Sequence, residues 1–235
     1  NVTDATLLLE AIAGEDKNDP TSMDIENGGY LGKLKEGIKG MNIALPKEYM
    51  NMDMDNRVKE KVMEAVKLFE KLGANVEEVS LPHAKHAWAT YYLIAVSEIS
   101  SNMAKYDGIG YGYRTEDYKT LDELYINSRS QGFGEEIKRS IMAGTYILSS
   151  KEGKEYYEKA FRVRALIKED FDKVYEKYDV ILTPSTPNLP FKIGDSVKKP
   201  FEMYGSGIFN IPANLAGLCA ISVPCGYVDG LPVGL

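Results

Sequence analysis

The segment between residues 42 and 81 constrains the fold more than any other part of the chain. Asn42–Pro46 is an apolar run that ends at a proline, and Val76–Leu81 is a second short run with apolar residues. Between them, Asn56–Leu72 has the periodicity of an amphipathic helix, and its apolar face is formed by Val58, Val62, Val66, Phe69 and Leu72. A strand, a helix and a strand in this order predict a βαβ unit, which implies a parallel sheet and a right-handed crossover.

Two apolar runs nearer the end of the sequence are crowded with small residues. Met203–Gly226 begins with a glycine-punctuated loop and continues through a helix-like run at Ile211–Leu218 and a strand-like run at Ala220–Pro224. Asp179–Pro187 is an earlier run with the same character. Such runs suit strands buried on both faces, and small side chains let a backbone approach a ligand or a neighbouring element closely. They predict either tight helix–sheet packing or a ligand-binding surface.

Further helices are predicted at residues 83–104, Leu121–Ser130, Glu135–Ser149 and Lys154–Lys177. The helix at 83–104 is expected to bury one stripe, consisting of Trp88, Tyr91 or Tyr92, Ala95 and Ile99. Between the first two helices, the loop Tyr106–Tyr118 is dense in Gly and Tyr, as in loops that cover a site or pack as ordinary surface. Strands alternating with helices predict the α/β class. Residues 1–235 are interpreted as a single domain that is a fragment of a larger one.

Composition excludes two classes of function. A net charge of −7 argues against a free-standing nucleic-acid binder, because attraction to phosphates requires a basic face. No apolar run approaches the ~20 residues that a membrane-spanning helix needs. Cys219 and Cys225 are too few and too close for a disulfide scaffold, so they are predicted to be small core residues of a protein in a reducing compartment, the cytoplasm.

The residues alone do not indicate a catalytic set. The glycines at 108–112 lack the preceding strand and the spacing of a phosphate-binding loop, and neither a serine nucleophile elbow nor an HExxH motif occurs. His83 and His86 are three residues apart, a spacing that could hold a metal ion, but no third ligand is evident. We therefore interpret both histidines as solvated surface residues and predict no metal site.

Several strings match one family in order and span essentially the whole chain. They are DATLLLEAIAG, IALPKEY, LGANVEEVSLP, YYLIAVSEISSN, YDGIGYGY, LDELYINSRSQGFGEEIKR, DVILTPSTP, NLAGLCAISVPCG and DGLPVGL. Through this ordered set the chain resembles the amidase signature family, and within it the A subunits of glutamyl-tRNA(Gln) amidotransferases. The resemblance implies a mixed β-sheet sandwiched by helices, an α/β/α arrangement. Because the last string ends inside a predicted strand, Leu231–Leu235, we expect a segment of a longer protein.

The resemblance also implies a chemistry. Enzymes of this family cleave amides with a Ser–cis-Ser–Lys triad, in which one serine is the nucleophile, the other relays the proton and the lysine is the base. In the A-subunit branch the amide is that of glutamine, and the ammonia passes to a partner subunit that converts Glu-tRNA(Gln) to Gln-tRNA(Gln) with ATP and Mg²⁺. The resemblance therefore implies a cytoplasmic heterotrimer with B-type and C-type subunits, tRNA contacted only through a partner, and no cofactor in this chain.

The family's triad residues all lie N-terminal to the position of Asn1, so the chain alone is expected to be inactive. Among the family's substrate-binding residues, a tyrosine that contacts glutamine falls on Tyr91. The arginine that binds the α-carboxylate falls on Ser140, or on Arg139 if the register shifts by one residue, and the aspartate that binds the α-ammonium falls on Gly207. The candidate substrate-binding residues are therefore Tyr91, Arg139, Ser140 and Gly207. The usual arginine of the YDGIRYG loop is also replaced, by Gly110.

These departures leave three functions open. The first is part of a glutamine-hydrolysing amidotransferase subunit. The second, suggested by the missing arginine and aspartate, is part of a stand-alone amidase that acts on a neutral amide. The third, suggested by the missing triad, is a non-catalytic scaffold subunit.

Overall fold

The computed structural model describes residues 1–24, 28–194 and 205–235, which form two compact units. The first, called the sheet unit here, comprises Asn1–Ser80, Lys173–Phe209 and Cys219–Leu235. The second, the helical unit, comprises Leu81–Asp172 and Asn210–Leu218. The start of the small-residue run, at residues 203 and 204, lies outside the described residues.

The sheet unit confirms the predicted βαβ order. Its elements are α1 (Val2–Ile12), α2 (Tyr30–Lys33), β1 (Asn42–Pro46), α3 (Lys47–Met50), α4 (Asn56–Lys71), β2 (Asn75–Val79), β3 (Val180–Ile181), β4 (Pro224–Val228) and β5 (Leu231–Gly234). Strands β2, β1 and β3 form a parallel sheet in that order, with Ile43 opposite both Val76 and Val180. The parallel sheet and its helices establish the α/β class.

The core of the sheet unit forms between β1 and one face of α4. Asp55 caps this helix by accepting a hydrogen bond from the Arg57 amide at 2.9 Å. The buried cluster consists of Ile43, Leu45, Met50, Val62, Ala65, Val66, Ala74, Leu182 and Leu235. The predicted face of α4 is confirmed at Val58, Val62 and Val66, which are all buried. Leu72 is 55 % exposed, because the helix ends at Lys71 and Leu72 belongs to the C-cap.

The strands predicted in the two small-residue runs are wrong in their extent. Ala220–Val223 forms no strand; β4 begins at Pro224, although Val223 and Leu235 exchange two backbone hydrogen bonds of 2.9 Å. Within Asp179–Pro187 only Val180–Ile181 is a strand, since the prolines at 184 and 187 have no N–H to donate to a sheet.

The strand predicted at Leu231–Leu235 is present as β5 and forms a hairpin with β4. Strands β4 and β5 pair antiparallel, and Asp229 and Gly230 form their turn with φ values of 51° and 77°. Two consecutive positive φ values match the turn types that suit the twist of a hairpin.

The helical unit contains the predicted helices with slightly shifted ends. They are α5 (Ala87–Asn102), α6 (Leu121–Gly132), α7 (Glu135–Ser149), α8 (Lys151–Tyr175, which belongs to this unit as far as Asp172) and α9 (Ile211–Ala216). Short 3₁₀ turns precede and follow α5, at Ala84–His86 and Met103–Lys105. Across the described ranges, no helix combines the length and the apolar character needed to cross a membrane.

Candidate substrate-binding residues

Three of the four candidate site residues lie on α5 and α7, which pack with their backbones in close approach. A Cβ atom at Gly144 of α7 would lie 2.0 Å from the carbonyl oxygen of Val96 and 2.6 Å from Cβ of Ser100. One residue further, the hydroxyls of Ser100 and Thr145 lie 3.0 Å apart and share a hydrogen bond. Only glycine permits this packing at position 144, so the α5–α7 pair is a firmly defined platform.

The apolar stripe predicted for α5 is only half-buried, and of its two alternatives Tyr92 is half-buried whereas Tyr91 is exposed. The buried residues of this helix are Ala87, Thr90, Val96 and Ser97, which are all small or β-branched. Large aromatic side chains would keep the helix away from its neighbour, whereas small ones allow the close approach seen at Gly144. Trp88 and Tyr92 are half-buried and stack on each other, with ring centroids 5.5 Å apart and nearly parallel planes.

Tyr91 is therefore not a core aromatic residue. Its side chain is 43 % exposed, and it follows directly after the buried Thr90 on the helix that packs against α7. A tyrosine held on a rigid helix with its ring exposed can contact a small ligand and donate or accept a hydrogen bond through its hydroxyl. Its role as a substrate-binding residue stays a prediction.

Positions 139 and 140 of α7 differ sharply in environment. Ser140 is 8 % exposed, whereas the Arg139 side chain is 57 % exposed and forms an ion pair with Glu136 one turn earlier. Consecutive helical residues point about 100° apart, so one cannot take the direction of the other without a change of backbone. The buried position at which the resemblance expects an arginine thus presents a neutral hydroxyl.

Gly207 lies in the sheet unit, in the turn that leads to Phe209. The amide of Ile208 donates a hydrogen bond to the carbonyl of Gly205 at 3.2 Å. Phe209 is 2 % exposed and packs against Tyr49, with ring centroids 5.7 Å apart. The turn is therefore anchored by a buried ring, while position 207 offers no charge for an ammonium group.

Asp107 organises the start of the tyrosine-rich loop. Its Oδ1 accepts hydrogen bonds from the amides of Ile109 at 2.8 Å and Gly110 at 2.9 Å. These two bonds to the charged form lower the pKa of the Asp107 carboxyl. A Cβ at Gly110 would have only Asp107 Oδ1 within reach, at 4.0 Å, so the space at position 110 accepts a larger side chain.

His83 differs from the sequence-based interpretation. It is half-buried, its Nδ1 lies 3.0 Å from both carboxylate oxygens of Asp170, and its backbone amide donates to the same carboxylate at 2.9 Å. Asp170 is only 7 % exposed, so the pair joins the start of α5 to α8. The sequence did not mark Asp170, because one carboxylate in a charged helix carries no signal of burial. His86 is exposed as predicted.

The cysteine prediction is wrong for one of the two residues. Cys219 is exposed, whereas Cys225 is half-buried and its thiol lies 3.5 Å from the carbonyl oxygen of Val233. Burial raises the pKa of the Cys225 thiol. Within residues 1–24, 28–194 and 205–235, no group of three or more His, Cys, Asp or Glu side chains could hold a metal ion.

Comparison with known sequences gives one consistent result along the whole chain. A family model described as Amidase matches residues 1–235. The glutamyl-tRNA(Gln) amidotransferase A subunit of Geobacillus sp. (strain WCH70) is 53% identical over 234 residues, which cover 100% of this chain and 48% of that protein. The protein of the same name from Halothermothrix orenii is 52% identical over 236 residues, covering 100% and 49%. The chain thus spans about half the length of these curated relatives.

Solved structures agree with the sequence matches. The glutamyl-tRNA(Gln) amidotransferase A subunit from Thermotoga maritima superposes with a TM-score of 0.72 at 42% identity, covering 100% of this chain and 46% of that one. A bacterial aryl acylamidase of the amidase signature family reaches a TM-score of 0.74 at 22% identity, covering 100% and 46%. At that lower identity the likeness concerns the fold alone.

Proposed function

The chain belongs to the amidase family, and from that premise we propose that it is part of an enzyme that hydrolyses the side-chain amide of glutamine. The released ammonia would serve the conversion of Glu-tRNA(Gln) to Gln-tRNA(Gln). The observation that supports this most is the match over 100% of the chain, at more than half identity, to relatives named as the A subunits of glutamyl-tRNA(Gln) amidotransferases. The half of those relatives that this chain does not match would supply the serine–serine–lysine triad.

In this proposal the described residues bind and orient the substrate. The nucleophilic serine attacks the amide carbon, the C–N bond breaks with a proton delivered to nitrogen, ammonia leaves, and water then releases glutamate from the acyl-enzyme. Tyr91, held on α5, would contact the substrate beside the reacting amide. The close packing of α5 on α7 at Gly144 would hold that ring in position. Such positioning matters, because a displacement of about 1 Å is enough to impair catalysis.

The proposal includes partners and compartment. Ammonia must reach a second active site without loss, so we propose a complex with B-type and C-type amidotransferase subunits in the cytoplasm. ATP, Mg²⁺ and the tRNA would bind to a partner of this chain, and none of its own residues is assigned to them. The net charge of −7 supports this division, since an acidic chain is a poor surface for tRNA.

The role of Tyr91 is tested in the full-length gene product by measuring ammonia release from glutamine. Tyr91→Ala should lower kcat/KM for glutamine at least about tenfold. This corresponds to the loss of one positioned contact that is worth about 1.4 kcal/mol. Tyr146→Ala is the matched control, because Tyr146 is an even more exposed tyrosine on α7 at 66 %. Equal activity of both variants and the native enzyme would contradict the proposed role of Tyr91.

A second candidate function, hydrolysis of a neutral amide, is favoured by a specific observation. Ser140 is buried and neutral, Arg139 is paired with Glu136, and position 207 is a glycine, so neither charged group of free glutamine meets its usual partner. The double variant Ser140→Arg with Gly207→Asp tests this candidate. If glutamine is the substrate, the added charges should lower the KM for glutamine about tenfold or more. If the substrate is a neutral amide, glutamine turnover should stay undetectable, and hydrolysis of the neutral amide should become slower.

A further inference from the structure

A cavity lies in the helical unit, where the loop Tyr106–Tyr118 meets α6. It is open, has a volume of about 320 Å³ and is lined by Met103, Tyr106, Gly112, Tyr113, Ser128, Arg129, Gly132 and Phe133. This volume is at the lower end of the range for small-molecule sites. None of the proposed substrate-binding residues lines it.

Glycines and one buried hydroxyl determine the shape of this cavity. A Cβ at Gly112 would lie 3.1 Å from the Tyr106 ring, and one at Gly132 would lie 3.1 Å from Cβ of Tyr113. Ser128 is 2 % exposed and its Oγ accepts a hydrogen bond from the Thr115 amide at 3.1 Å. The loop is therefore fastened to α6 at several points, and the cavity between them is preformed.

Arg129 lines the cavity, and only part of its guanidinium group is hydrogen-bonded to the described residues. Its Nη1 donates to the carbonyl oxygens of Met103 and Tyr106, both at 2.9 Å, and its Cζ lies 5.0 Å from the centroid of the Phe133 ring. Among the described residues, no hydrogen bond or ion pair is made by Nε or Nη2 of this side chain. These two nitrogens form the edge of the guanidinium that binds a carboxylate through two parallel hydrogen bonds.

The surroundings favour an anion with an aromatic body. The rings of Tyr106 and Phe133 are arranged edge to face at 6.4 Å, and Tyr113 adds a third ring to the lining. No lining residue is acidic, and Lys105 Nζ lies 5.3 Å above the Tyr106 ring, which adds a second positive charge. The carboxylate of Asp107, the acid nearest in sequence, is engaged with the loop amides of Ile109 and Gly110.

We propose that this cavity is a binding site for a small aromatic carboxylate. The carboxylate would bind to the Nε–Nη2 edge of Arg129, and the aromatic body would stack among Tyr106, Tyr113 and Phe133. Aromatic contacts and a bidentate charged pair together give both affinity and orientation in such a site.

The test compares two probes of equal shape on the full chain by calorimetry or protein-observed NMR. Benzoate carries the charge, and acetophenone is its neutral isostere and contains no cleavable amide. We expect benzoate to bind at least about tenfold more tightly than acetophenone, and its affinity to fall as salt is raised. Equal binding of the two probes, or no saturable binding of benzoate at 10 mM (roughly the weakest affinity that counts as a site), would overturn the proposal.

Substitutions in the cavity lining test whether benzoate binds there. Arg129→Lys keeps the charge but removes the bidentate edge and should reduce benzoate affinity about tenfold. Tyr113→Ala, which removes a ring that is 55 % exposed, should have a similar effect. Arg114→Gln is the matched control, because Arg114 lies on the same loop and contacts Tyr118 instead of the cavity. Tyr91→Ala should also leave benzoate binding unchanged. An equal loss of benzoate affinity in Arg114→Gln or Tyr91→Ala would contradict the assignment to this cavity. If Arg129→Lys does not fold, the comparison of benzoate with acetophenone on the native protein still decides the question.

Discussion

The β1–α4–β2 region and the α5–α7 pair are both built around a helix, but they achieve close packing by opposite means. In the first, branched side chains fill the space: Val62 is fully buried and belongs to the same apolar cluster as Ile43. In the second, the absence of a side chain creates the contact, because Gly144 admits the backbone of α5. A Cβ added at Gly144 would meet backbone and force the two helices apart, whereas truncation of Val62 leaves only a small cavity, so we expect the glycine contact to be the more sensitive of the two.

The largest expected effect is at the glycine contact. Gly144→Ala would place a methyl group 2.0 Å from the Val96 carbonyl oxygen, so the two helices must separate. We expect a loss of about 3 kcal/mol in the free energy of unfolding, measured by urea denaturation. Gly110→Ala is the control, since its Cβ would have open space, and it should change stability by less than about 0.5 kcal/mol. Similar stabilities of the two variants would refute the close approach.

A smaller loss is expected at the filled core. Val62→Ala removes two methyl groups from a site with 0% exposure and should cost about 2 kcal/mol. The comparison is sharpened by Lys67→Ala on the exposed face of the same helix, which should be nearly neutral. If Val62→Ala destabilised the protein more than Gly144→Ala, the contrast between the two regions would be reversed.

The contact between half-buried His83 and buried Asp170 tests whether polar contacts matter as much as packing in the helical unit. Asp170→Asn keeps the shape of the side chain but removes the charged acceptor of the hydrogen bonds from the His83 amide and ring. It should lower the free energy of unfolding by about 1 kcal/mol. Asp172→Asn removes an exposed carboxylate paired with Lys168 and should have almost no effect. Equal losses at both positions would mean that burial of Asp170 adds nothing.

The smallest effect is local and depends on pH. The pKa of Asp107 is lowered in the folded state, so its contribution to loop stability is complete above the unfolded value of about 3.9 and is lost as pH falls through the lower folded value. Amide exchange of Ile109 and Gly110, corrected for its intrinsic pH dependence, should therefore lose protection in acid. Asp107→Ala should remove that protection at every pH. If the Ile109 and Gly110 amides of this variant stayed protected at neutral pH and lost that protection in acid, a group other than Asp107 would control the loop.

The same contrast explains what the sequence revealed. Apolar periodicity predicted α4 and the parallel strands around it, because Val58, Val62 and Val66 repeat at helical spacing and are buried. It was less informative for α5, where the most buried residues are small and the predicted stripe is only half-buried. Close approach requires glycines and small side chains, which hydrophobic periodicity does not record.

The candidate site was predictable only in part. The resemblance placed Tyr91, Ser140 and Gly207 in register, and the i,i+3 spacing of Glu136 and Arg139 is compatible with their ion pair, but the burial of Ser140 depends on packing against other elements. The cavity beside Arg129 also depends on hydrogen bonds to carbonyls more than twenty residues away in sequence, which no local pattern expresses. Contacts of this kind are products of tertiary structure, so a motif can indicate the loop but not the cavity.

The proposed function depends most directly on which amide the full-length gene product hydrolyses. Its kcat/KM for ammonia release should be compared between glutamine and propionamide, a neutral amide that lacks both charged groups of the amino acid. We predict measurable glutamine hydrolysis, with only a modest preference over propionamide, since Ser140 and Gly207 provide no charge for the substrate's α-carboxylate and α-ammonium. Turnover of propionamide without any turnover of glutamine would contradict it.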